Sequence, residues 1–368
     1  MGNNYEFWEN YLIKLKKEIK KICRLKDNLY IDFHLHSNYS ADGKQSLSQI
    51  IESTKEKGFD IISITDHDSI DIYDELYNIV KYGMTCPLIV PGIEFTTDNL
   101  EYGNQCHILQ LFINPKDSLL EENVKVNYDA MFNRSKIQFK RLKENVSIQT
   151  ILRKNKIKIS YDEYIKYLNT NNLVPEYDTL CYYLIDKFEK KHITTFDILD
   201  LLQKDNEKDC YEDRKEYKRK RFRKLREKYE KCEKNNYNSR FLLSMLAVRE
   251  VDDDWWDEPS SGSLSVNSYG QLHIEDIDNK YKLFYAHPTE NRLSVVKKDI
   301  RNNKKIIGLE QNIRNNYENI ENFNNLIKEM NLLKIIGSDS HDNTFQFYED
   351  MEYYKIKSDE ILEIIKKL

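Results

Sequence analysis

The sequence predicts an α/β fold in which a parallel sheet, open or closed, is split by a large helical insertion. Short apolar segments alternate with helical segments over residues 28–115, and the same alternation returns over 279–368. Such alternation is typical of βα units around a parallel sheet. Between these two halves, residues 116–278 are rich in Lys and Glu and contain few strand signals. We therefore expect one α/β domain in two halves, with a helical lid between them.

An N-terminal amphipathic helix is predicted over residues 1–27, because Trp8, Leu12, Leu15 and Ile19 recur at helical spacing. Such a face packs against a protein core or, as an alternative, lies on a membrane surface. The segment lacks the uninterrupted apolar core and the cleavage site of a signal peptide. The cytoplasm is therefore the expected compartment.

The first half contains strands and helices in alternation. Its strands are predicted over 28–36, 59–67, 86–97 and 105–113, and its helices over 46–58 and 70–83. Gly58 and Gly83 end the two helices, as glycine commonly does. The second half is predicted to add strands over 282–288, 304–312 and 332–341, with helices near 289–302 and 315–330.

The composition excludes several classes of protein. The 368 residues have a net charge of −5, which argues against polyanion binding by the chain as a whole. No segment approaches the roughly 18 apolar residues of a membrane-spanning helix, so no such helix is expected and the membrane is not among the predicted partners. Six cysteines without CxxC spacing argue against a zinc ribbon or a disulfide scaffold.

A pair of histidines, His34 and His36, ends the first predicted strand. Residues two apart on a strand point to the same face, so the imidazoles suit a shared metal ion, although ordinary hydrogen-bonded histidines have the same spacing. The same residue types recur at or near other strand ends: Asp42, His67, Glu94, His107, His287, Asp339 and His341. In a βα barrel such ends converge on the rim that forms the active site. Nitrogen and oxygen donors without thiolate suit Zn, Mn or Fe.

An ordered set of motifs resembles the polymerase-and-histidinol-phosphatase (PHP) family of metal-dependent phosphoesterases. The motifs are HLH (34–36), SADG (40–43), TDHD (65–68), PGIE (91–94), CHI (106–108), AHP (286–288) and SDSH (338–341). The resemblance covers the flanking thirds of the chain. It implies a distorted (β/α)7 barrel with two or three divalent metal ions, Mn, Zn or Fe.

Carried over by position, the resemblance implies three sets of metal ligands. The sets are His34, His36, Glu94 and Asp339 for the first ion; Glu94, His107 and His287 for the second; and Asp42, His67 and His341 for the third. Asp42 stands where some family members have His. The implied reaction is attack of a metal-bound hydroxide on phosphorus, since clustered divalent ions activate water and clamp phosphate oxygens.

Three further residues are candidates near the chemistry. Asp66 is predicted either to orient its neighbour His67 or to cap a turn. Arg134 resembles the arginine that leads a helical lid in family members acting on nucleotides and RNA ends. A guanidinium there would clamp phosphate, and a solvated helix charge is the alternative. Glu310 ends another predicted strand and is expected to support the rim, as a second layer behind the ligands or structurally.

A basic helix is predicted within the insertion. Residues 211–231 contain eleven basic and five acidic side chains, a local charge of +6. Arg219, Arg221 and Arg223 are the candidate nucleic-acid contacts on this helix. A plain solvated helix and a docking site for an acidic protein partner are alternatives. The segment 252–259 is interpreted as a surface loop, with stacking of its Trp pair on a base as the alternative.

The sequence therefore predicts a cytoplasmic metal-dependent phosphoesterase, a phosphatase or exonuclease acting on nucleotides or nucleic-acid ends. A small-metabolite phosphatase, such as a histidinol-phosphatase-like enzyme, is one alternative, but it would not need so large a lid. A regulatory or binding subunit of a nucleic-acid-processing or defence complex with an ATPase partner is another. Loss of metal ligands would favour that subunit, and all nine ligand positions are filled.

Overall fold

The computed structural model has the α/β class that the sequence predicts. It describes residues 2–98 and 105–194, with the exception of residues 41, 145, 172 and 176. It also describes the segments 272–277, 280–289, 292–312, 320–341 and 351–368, and the single residues 197, 200, 223 and 227. By its internal contacts the chain divides into two compact units, 1–129 with 265–368, and 130–264. The insertion over 116–278 and the other domain boundaries stay predictions.

The described strands form one sheet, and helices follow most of them. The strands are β1 (Asn28–Leu35), β2 (Ile61–Ile64), β3 (Leu88–Asp98), β4 (Gln105–Leu111), β5 (Leu283–Tyr285), β6 (Ile306–Asn312), β7 (Leu333–Gly337) and β8 (Lys355–Lys357). The helices are α1 (Gly2–Leu25), α2 (Leu47–Lys57), α3 (Ile72–Val80), α4 (Ser118–Glu144), α5 (Val146–Lys154), α6 (Tyr161–Asn171), α7 (Tyr177–Glu189), α8 (Leu293–Asn302), α9 (Ile320–Met330) and α10 (Ser358–Lys367).

The sheet is mixed, with the strand order β7-β6-β5-β4-β3-β2-β1-β8. Strands β1 to β3 are parallel to one another, as are β5 to β7, whereas β4 runs antiparallel to both neighbours and β8 runs antiparallel to β1. The expectation of a parallel sheet is therefore wrong at β4. Only residues 99–104 separate β3 from β4, and a parallel crossover needs about a dozen residues or more.

The sheet curls so that the carboxyl end of β1 meets the segment that follows β7. The Asp339 N–H donates to the His34 carbonyl at 2.9 Å, and the His36 N–H donates to the Ser340 carbonyl at 3.0 Å. These two bonds bring the HLH and SDSH motifs side by side at one rim.

Helix α1 packs on the core of the first unit. Trp8 and Leu15 are fully buried, and the Tyr11 hydroxyl donates to the Ile89 carbonyl at 2.7 Å. The Trp8 ring lies edge-on to Tyr73, with 5.8 Å between the ring centroids. The apolar face predicted from the sequence is thus the face that contacts the protein. Within the described residues, no helix has the length and apolar character needed to cross a membrane.

The second unit has a separate hydrophobic core, built by α5 to α7 and the later turns of α4. Tyr164 is central to it, with its ring 6.1 Å from that of Phe139 and 5.6 Å from that of Tyr183. Its hydroxyl lies 2.9 Å from the Thr179 hydroxyl. The buried hydroxyl of Tyr164 therefore has a hydrogen-bond partner within this core.

Asp117 fixes the start of α4 in the first unit. Its Oδ1 accepts a hydrogen bond from the Leu119 N–H at 3.0 Å, and its Oδ2 accepts one from the Tyr281 hydroxyl at 2.9 Å. The Lys280 ammonium also pairs with Oδ2. Burial opposes ionisation, but these donors, with Lys280 foremost, hold the pKa of Asp117 below its usual range.

Asp117→Asn is expected to lower the free energy of unfolding at pH 7 by about 1.5–3 kcal/mol, because hydrogen bonds to a charged group are lost. A carboxyl whose pKa is lower in the folded than in the unfolded chain stabilises above its unfolded pKa of about 3.9. That contribution is lost as the pH falls through the folded value. Urea unfolding measures the difference in free energy of unfolding between Asp117→Asn and wild type, which should be smaller at pH 3 than at pH 7. An equal difference at both pH values would contradict the lowered pKa of Asp117.

Candidate metal centre

Strand ends of the first unit bring all nine predicted ligands together. Three groups each have ligand atoms within 4.8 Å of one another: His34, His36, Glu94 and Asp339; His67, Glu94 and His107; and His36, Asp42, His67 and His341. The ninth residue, His287, follows β5 and contacts the second group. The rim predicted from the sequence is therefore a single cluster in space.

The first group forms the buried floor of the cluster. Oε2 of Glu94 lies 2.8 Å from Nε2 of His34 and 3.1 Å from Nε2 of His36. Oδ1 of Asp339 lies 3.1 Å from the same His36 nitrogen. The two Nε2 atoms are themselves 3.1 Å apart. Four potential donor atoms from three different strand ends thus face one point.

Two histidines, His107 and His287, face the other oxygen of Glu94. Its Oε1 lies 3.0 Å from Nδ1 of His107 and 3.1 Å from Nε2 of His287, and these ring nitrogens are 3.2 Å apart. Nδ1 of His67 is 3.3 Å from Oε2 and has no hydrogen-bond partner among the described residues. The two carboxylate oxygens of Glu94 therefore face different sets of imidazoles, which is the arrangement of a bridging ligand.

The third group lies beside the first and is centred on Asp42. Its Oδ2 is 2.8 Å from Nε2 of His341 and 3.6 Å from Nε2 of His67. The rings of His36 and His341 are stacked, with 4.4 Å between centroids and 7° between planes. An aspartate at this position thus reaches the two histidines that the sequence pairs with it.

Ser40 links these groups, and the sequence did not single it out beyond its place in the SADG motif. Its hydroxyl donates to Oδ1 of Asp42 at 2.9 Å, accepts from the His67 N–H at 3.2 Å, and lies 3.2 Å from Nδ1 of His36. A hydroxyl has one proton and two lone pairs, so these three contacts use it fully. Nδ1 of His36 therefore carries its hydrogen, and Nε2 is left to face Glu94 and Asp339.

The electrostatics of the cluster fit a cation. Burial opposes a charge on His36, yet its contacts with Asp339 and Glu94 raise its pKa to about 10. Burial likewise opposes ionisation of Glu94, but the surrounding imidazoles, His34 foremost, hold its pKa well below the usual range. The carboxylates thus keep their charge and attract positive charge into the site. A divalent ion supplies that charge and suits imidazole and carboxylate donors.

Exposure differs between the residues of the cluster. The side chains of His34, His36 and Glu94 are fully buried, whereas that of His287 is 29% exposed and that of Asp42 is 38% exposed. The cluster is therefore open to solvent at Asp42 and at His287, and closed at its floor.

Left-handed backbone conformations occur at and beside the ligands. The φ angles are +54° at Asp339, +27° at His287 and +49° at Asp68, all on non-glycine residues. Such conformations cost about 1–3 kcal/mol each and persist where other contacts enforce them. At Asp68, the carboxylate accepts hydrogen bonds from the Thr96 N–H at 3.0 Å and the Asn127 amide at 2.6 Å. Backbone strain at these three positions is therefore held by the contacts around the cluster.

Asp66 has the turn-capping role that the sequence left open. Its Oδ1 accepts from the Ser37 N–H and its Oδ2 from the Ser37 hydroxyl, both at 2.6 Å. Burial raises the pKa of Asp66 to about 6, although the Ser37 bonds oppose that shift. The carboxylate therefore holds the turn after β1, and its hydrogen bonds within the described chain go to Ser37 rather than to the His67 ring.

The residues proposed to contact substrate are placed only in part. Arg134 lies on α4 in the second unit and is buried, so the alternative of a solvated helix charge is wrong for it. Arg223 is exposed. Arg219, Arg221 and the segment 252–259 lie outside the described residues.

Gly337→Ala is expected to weaken the centre, because Gly337 leaves room for the packing behind it. A Cβ atom there would lie 2.3 Å from Oε1 of Glu310 and 2.5 Å from Cβ of His34. The side chains must shift to make room for the added methyl group, which typically lowers the free energy of unfolding by about 1–3 kcal/mol. Because His34 is one of the residues that must shift, we also expect weaker metal binding. Gly83→Ala is the matched control, since its Cβ would meet nothing within 4 Å. Titration of both variants with Mn²⁺ checks this; equal affinities would contradict it.

Comparisons with known proteins show a similarity to one family over part of the chain. Residues 32–174 match the PHP domain family model, and this span contains six of the nine predicted ligands. A candidate metal-dependent phosphoesterase from Bifidobacterium adolescentis has a similar structure: 16% identity and a TM-score of 0.50, covering 92% of this chain and 96% of that one. That likeness shows the fold alone. No curated protein matches the sequence.

Two further solved structures are more distant. An amidohydrolase from Chromobacterium violaceum, with bound sulfate and no metal, is 14% identical with a TM-score of 0.46, covering 89% of this chain and 98% of that one. A two-domain protein from Bacteroides vulgatus that contains a PHP-like metal-dependent phosphoesterase is 12% identical with a TM-score of 0.36, covering 92% of this chain and 62% of that one.

Proposed function

We propose that the chain is a PHP-type metal-dependent phosphoesterase and that it hydrolyses phosphate esters of nucleotides or of nucleic-acid ends. The observation that carries the proposal is the cluster around Glu94, whose two carboxylate oxygens face separate sets of imidazoles at 2.8–3.3 Å. We also propose the finer fold that the family implies, a distorted (β/α)7 barrel whose segment 116–278 is a helical lid.

The proposed ligands divide among two or three divalent ions, Mn, Zn or Fe. The sets are His34, His36, Glu94 and Asp339; Glu94, His107 and His287; and Asp42, His67 and His341. When bound, such ions polarise phosphate oxygens and lower the pKa of water. The chain's own part is to fix their positions, because the ligands come from strand ends with little freedom to move.

The charge of the ligand set favours an anionic substrate. Six imidazoles are neutral when they bind metal, and the three carboxylates supply three negative charges. With the Glu310 carboxylate behind His34 included, the negative charge is four, so three divalent ions leave the centre positive and two leave it neutral. A phosphate ester is an anion that complements the positive charge of a centre with three ions, and the partly exposed side chains of Asp42 and His287 are the groups it would meet first.

The choice of nucleotides or nucleic-acid ends rests on the sequence. The local charge of +6 over residues 211–231 supports contacts with a phosphate backbone. Arg134 is proposed as a phosphate clamp on the basis of the family resemblance. A protein partner that binds the insertion is a further proposal from the same charge.

Neutralising Arg219, Arg221 and Arg223 together is expected to weaken oligonucleotide binding and flatten its salt dependence. Each phosphate contact contributes about 0.7–0.9 to the slope of log affinity against log salt, so the slope should fall by about 2–3. Fluorescence anisotropy with a labelled oligonucleotide between 50 and 200 mM NaCl, as chosen concentrations, measures this. A wild-type affinity that does not change with salt would reject nucleic acid as the ligand of this helix.

One activity panel tests the function. The purified protein is incubated with Mn²⁺, Zn²⁺, Fe²⁺ or Mg²⁺ and with mononucleotides, end-labelled oligonucleotides or histidinol phosphate. Release of phosphate from mononucleotides or cleavage from an oligonucleotide end supports the proposal. Turnover of histidinol phosphate alone would replace it with the metabolite phosphatase, and no turnover with any metal would favour a regulatory subunit with an ATPase partner.

A further inference from the structure

Glu310 lies on β6, behind the proposed ligands, and its side chain is fully buried. Its Oε2 lies 2.9 Å from Nδ1 of His34 and accepts a hydrogen bond from the His287 backbone N–H at 2.7 Å. Its Oε1 accepts a hydrogen bond from the Asn312 amide at 2.8 Å. One buried carboxylate thus contacts two residues assigned to different metal ions.

The contact with Glu310 determines which nitrogen of His34 carries a proton. An ionised carboxylate accepts hydrogen bonds and donates none, so Nδ1 of His34 must be the donor. When an ion is bound the imidazole is neutral and has one protonated nitrogen, so a proton held on Nδ1 leaves the lone pair of Nε2 for the ion. That atom faces Oε2 of Glu94 at 2.8 Å and Oδ1 of Asp339 at 3.6 Å. The tautomer that binds a metal ion is the one that Glu310 selects.

The second contact orients His287. The backbone at this residue has a φ of +27°, which few non-glycine residues adopt. The bond from its N–H to Glu310 holds this conformation, in which Nε2 of His287 lies 3.1 Å from Oε1 of Glu94. Glu310 is held in turn by Asn312 and by the close approach of Gly337, whose added Cβ would meet Oε1 at 2.3 Å.

We propose that Glu310 is a positioning residue of the metal centre, which fixes the tautomer of His34 and the backbone of His287. The inference rests on the proposed metal centre and goes beyond it by assigning a role to a residue that binds no metal. Partners of metal-binding histidines raise ligand basicity and fix ring orientation, and their loss typically weakens metal binding by about 10–100-fold.

Glu310→Gln tests the proposal with little change in size. Its amide has one acceptor oxygen in place of two, so its NH2 group must face either the Asn312 amide or Nδ1 of His34. If the NH2 group faces the Asn312 amide, two donors meet. If it faces Nδ1 of His34, that nitrogen must accept, and the His34 proton moves to Nε2, where the ion would bind. Metal affinity, measured by competition with a coloured chelator, should fall about 10–100-fold for at least one ion.

The double variant Glu310→Gln with Asn312→Asp is the matched rescue. The NH2 group of the glutamine then faces a carboxylate, and its oxygen can accept from His34 and His287 as before. Metal affinity should recover relative to the single variant. Asp117→Asn is the control, because it makes the same carboxylate-to-amide change at a buried position that holds α4, and it should alter stability but leave metal affinity unchanged.

A spectroscopic readout separates positioning from general stability. Long-range ¹H–¹⁵N correlation on ¹⁵N-histidine-labelled, Zn²⁺-bound protein identifies the protonated nitrogen of each ring. The proposal expects His34 to be protonated on Nδ1 in the wild type and in the double variant. If Glu310→Gln does not fold, Glu310→Asp keeps the charge but withdraws it from His34, and it should weaken metal binding as well.

The outcomes distinguish this inference from the proposed function. Wild-type metal affinity in a folded Glu310 variant, or His34 protonated on Nε2 in the wild type, would overturn the inference and leave the phosphoesterase proposal intact. A wild-type protein that binds ions but hydrolyses no phosphate ester would overturn the proposed function, while the affinity test of Glu310 still decides this inference. A wild-type protein that binds no divalent ion would overturn both.

Discussion

Glu94→Gln is expected to reduce phosphoesterase activity by more than about a thousandfold, which corresponds to about 4 kcal/mol of transition-state stabilisation. The glutamine has nearly the shape of the glutamate but lacks its charge, and it presents an NH2 group to one of the two sets of imidazoles. Oε1 contacts His107 and His287, whereas Oε2 contacts His34 and His36. Whichever set faces the NH2 group loses its oxygen ligand, so the variant should also bind at least one ion fewer.

Activity with saturating Mn²⁺ and the metal content after dialysis measure the two parts of this prediction. Glu352→Gln is the matched control, because it makes the same change on a side chain that is 68% exposed and pairs with Lys355. It should leave both measurements at the wild-type level. Full activity of Glu94→Gln at saturating Mn²⁺ would contradict the proposal that Glu94 bridges two ions.

Trp8→Ala is expected to have the largest effect on stability, lowering the free energy of unfolding by about 3–5 kcal/mol. The indole is fully buried on α1 and packs edge-on against Phe7, Tyr11 and Tyr73. Removing it leaves a cavity that these rings cannot fill without losing their contacts with one another. Urea unfolding followed by circular dichroism measures the loss.

Ile13→Ala on the same helix is the control for this change. The Ile13 side chain is 54% exposed, so its truncation should alter the free energy of unfolding by no more than about 0.5 kcal/mol. Equal losses in the two variants would show that α1 is stabilised by its helical content rather than by packing. The activity per folded molecule should be unchanged in both, since α1 supplies none of the proposed ligands.

Much of the fold was predictable because the signals are local. Apolar runs such as 59–67 and glycines such as Gly58 mark elements within a few residues of themselves, and Gly58 does end α2 in the left-handed conformation. The direction of β4 was less accessible, because it depends on which strands become neighbours. The terminal strand β8 has three residues, one of them buried, which is too short for an alternating pattern to be seen.

The candidate site divides in the same way. Side chains at strand ends can be placed on one rim from the sequence, since strand ends of a βα fold converge. The hydrogen bonds that orient these side chains are harder to predict from the sequence. Glu310 contacts His34, which is 276 residues away in the sequence. Asp66 forms its hydrogen bonds with Ser37, 29 residues away, and not with the ring of its neighbour His67. Such choices depend on the curvature of the sheet, which no short motif encodes.

The closure of β1 against the segment after β7 has a consequence for how the protein matures. His36 and Asp339 are 303 residues apart in the chain, yet their side chains are 3.1 Å from each other. Contacts at such separation carry a high loop-closure entropy and tend to form late in folding. During synthesis, the first histidines emerge long before the final aspartate exists. In the proposed centre, the ligand set that contains Asp339 is therefore completed only after β7 has been made.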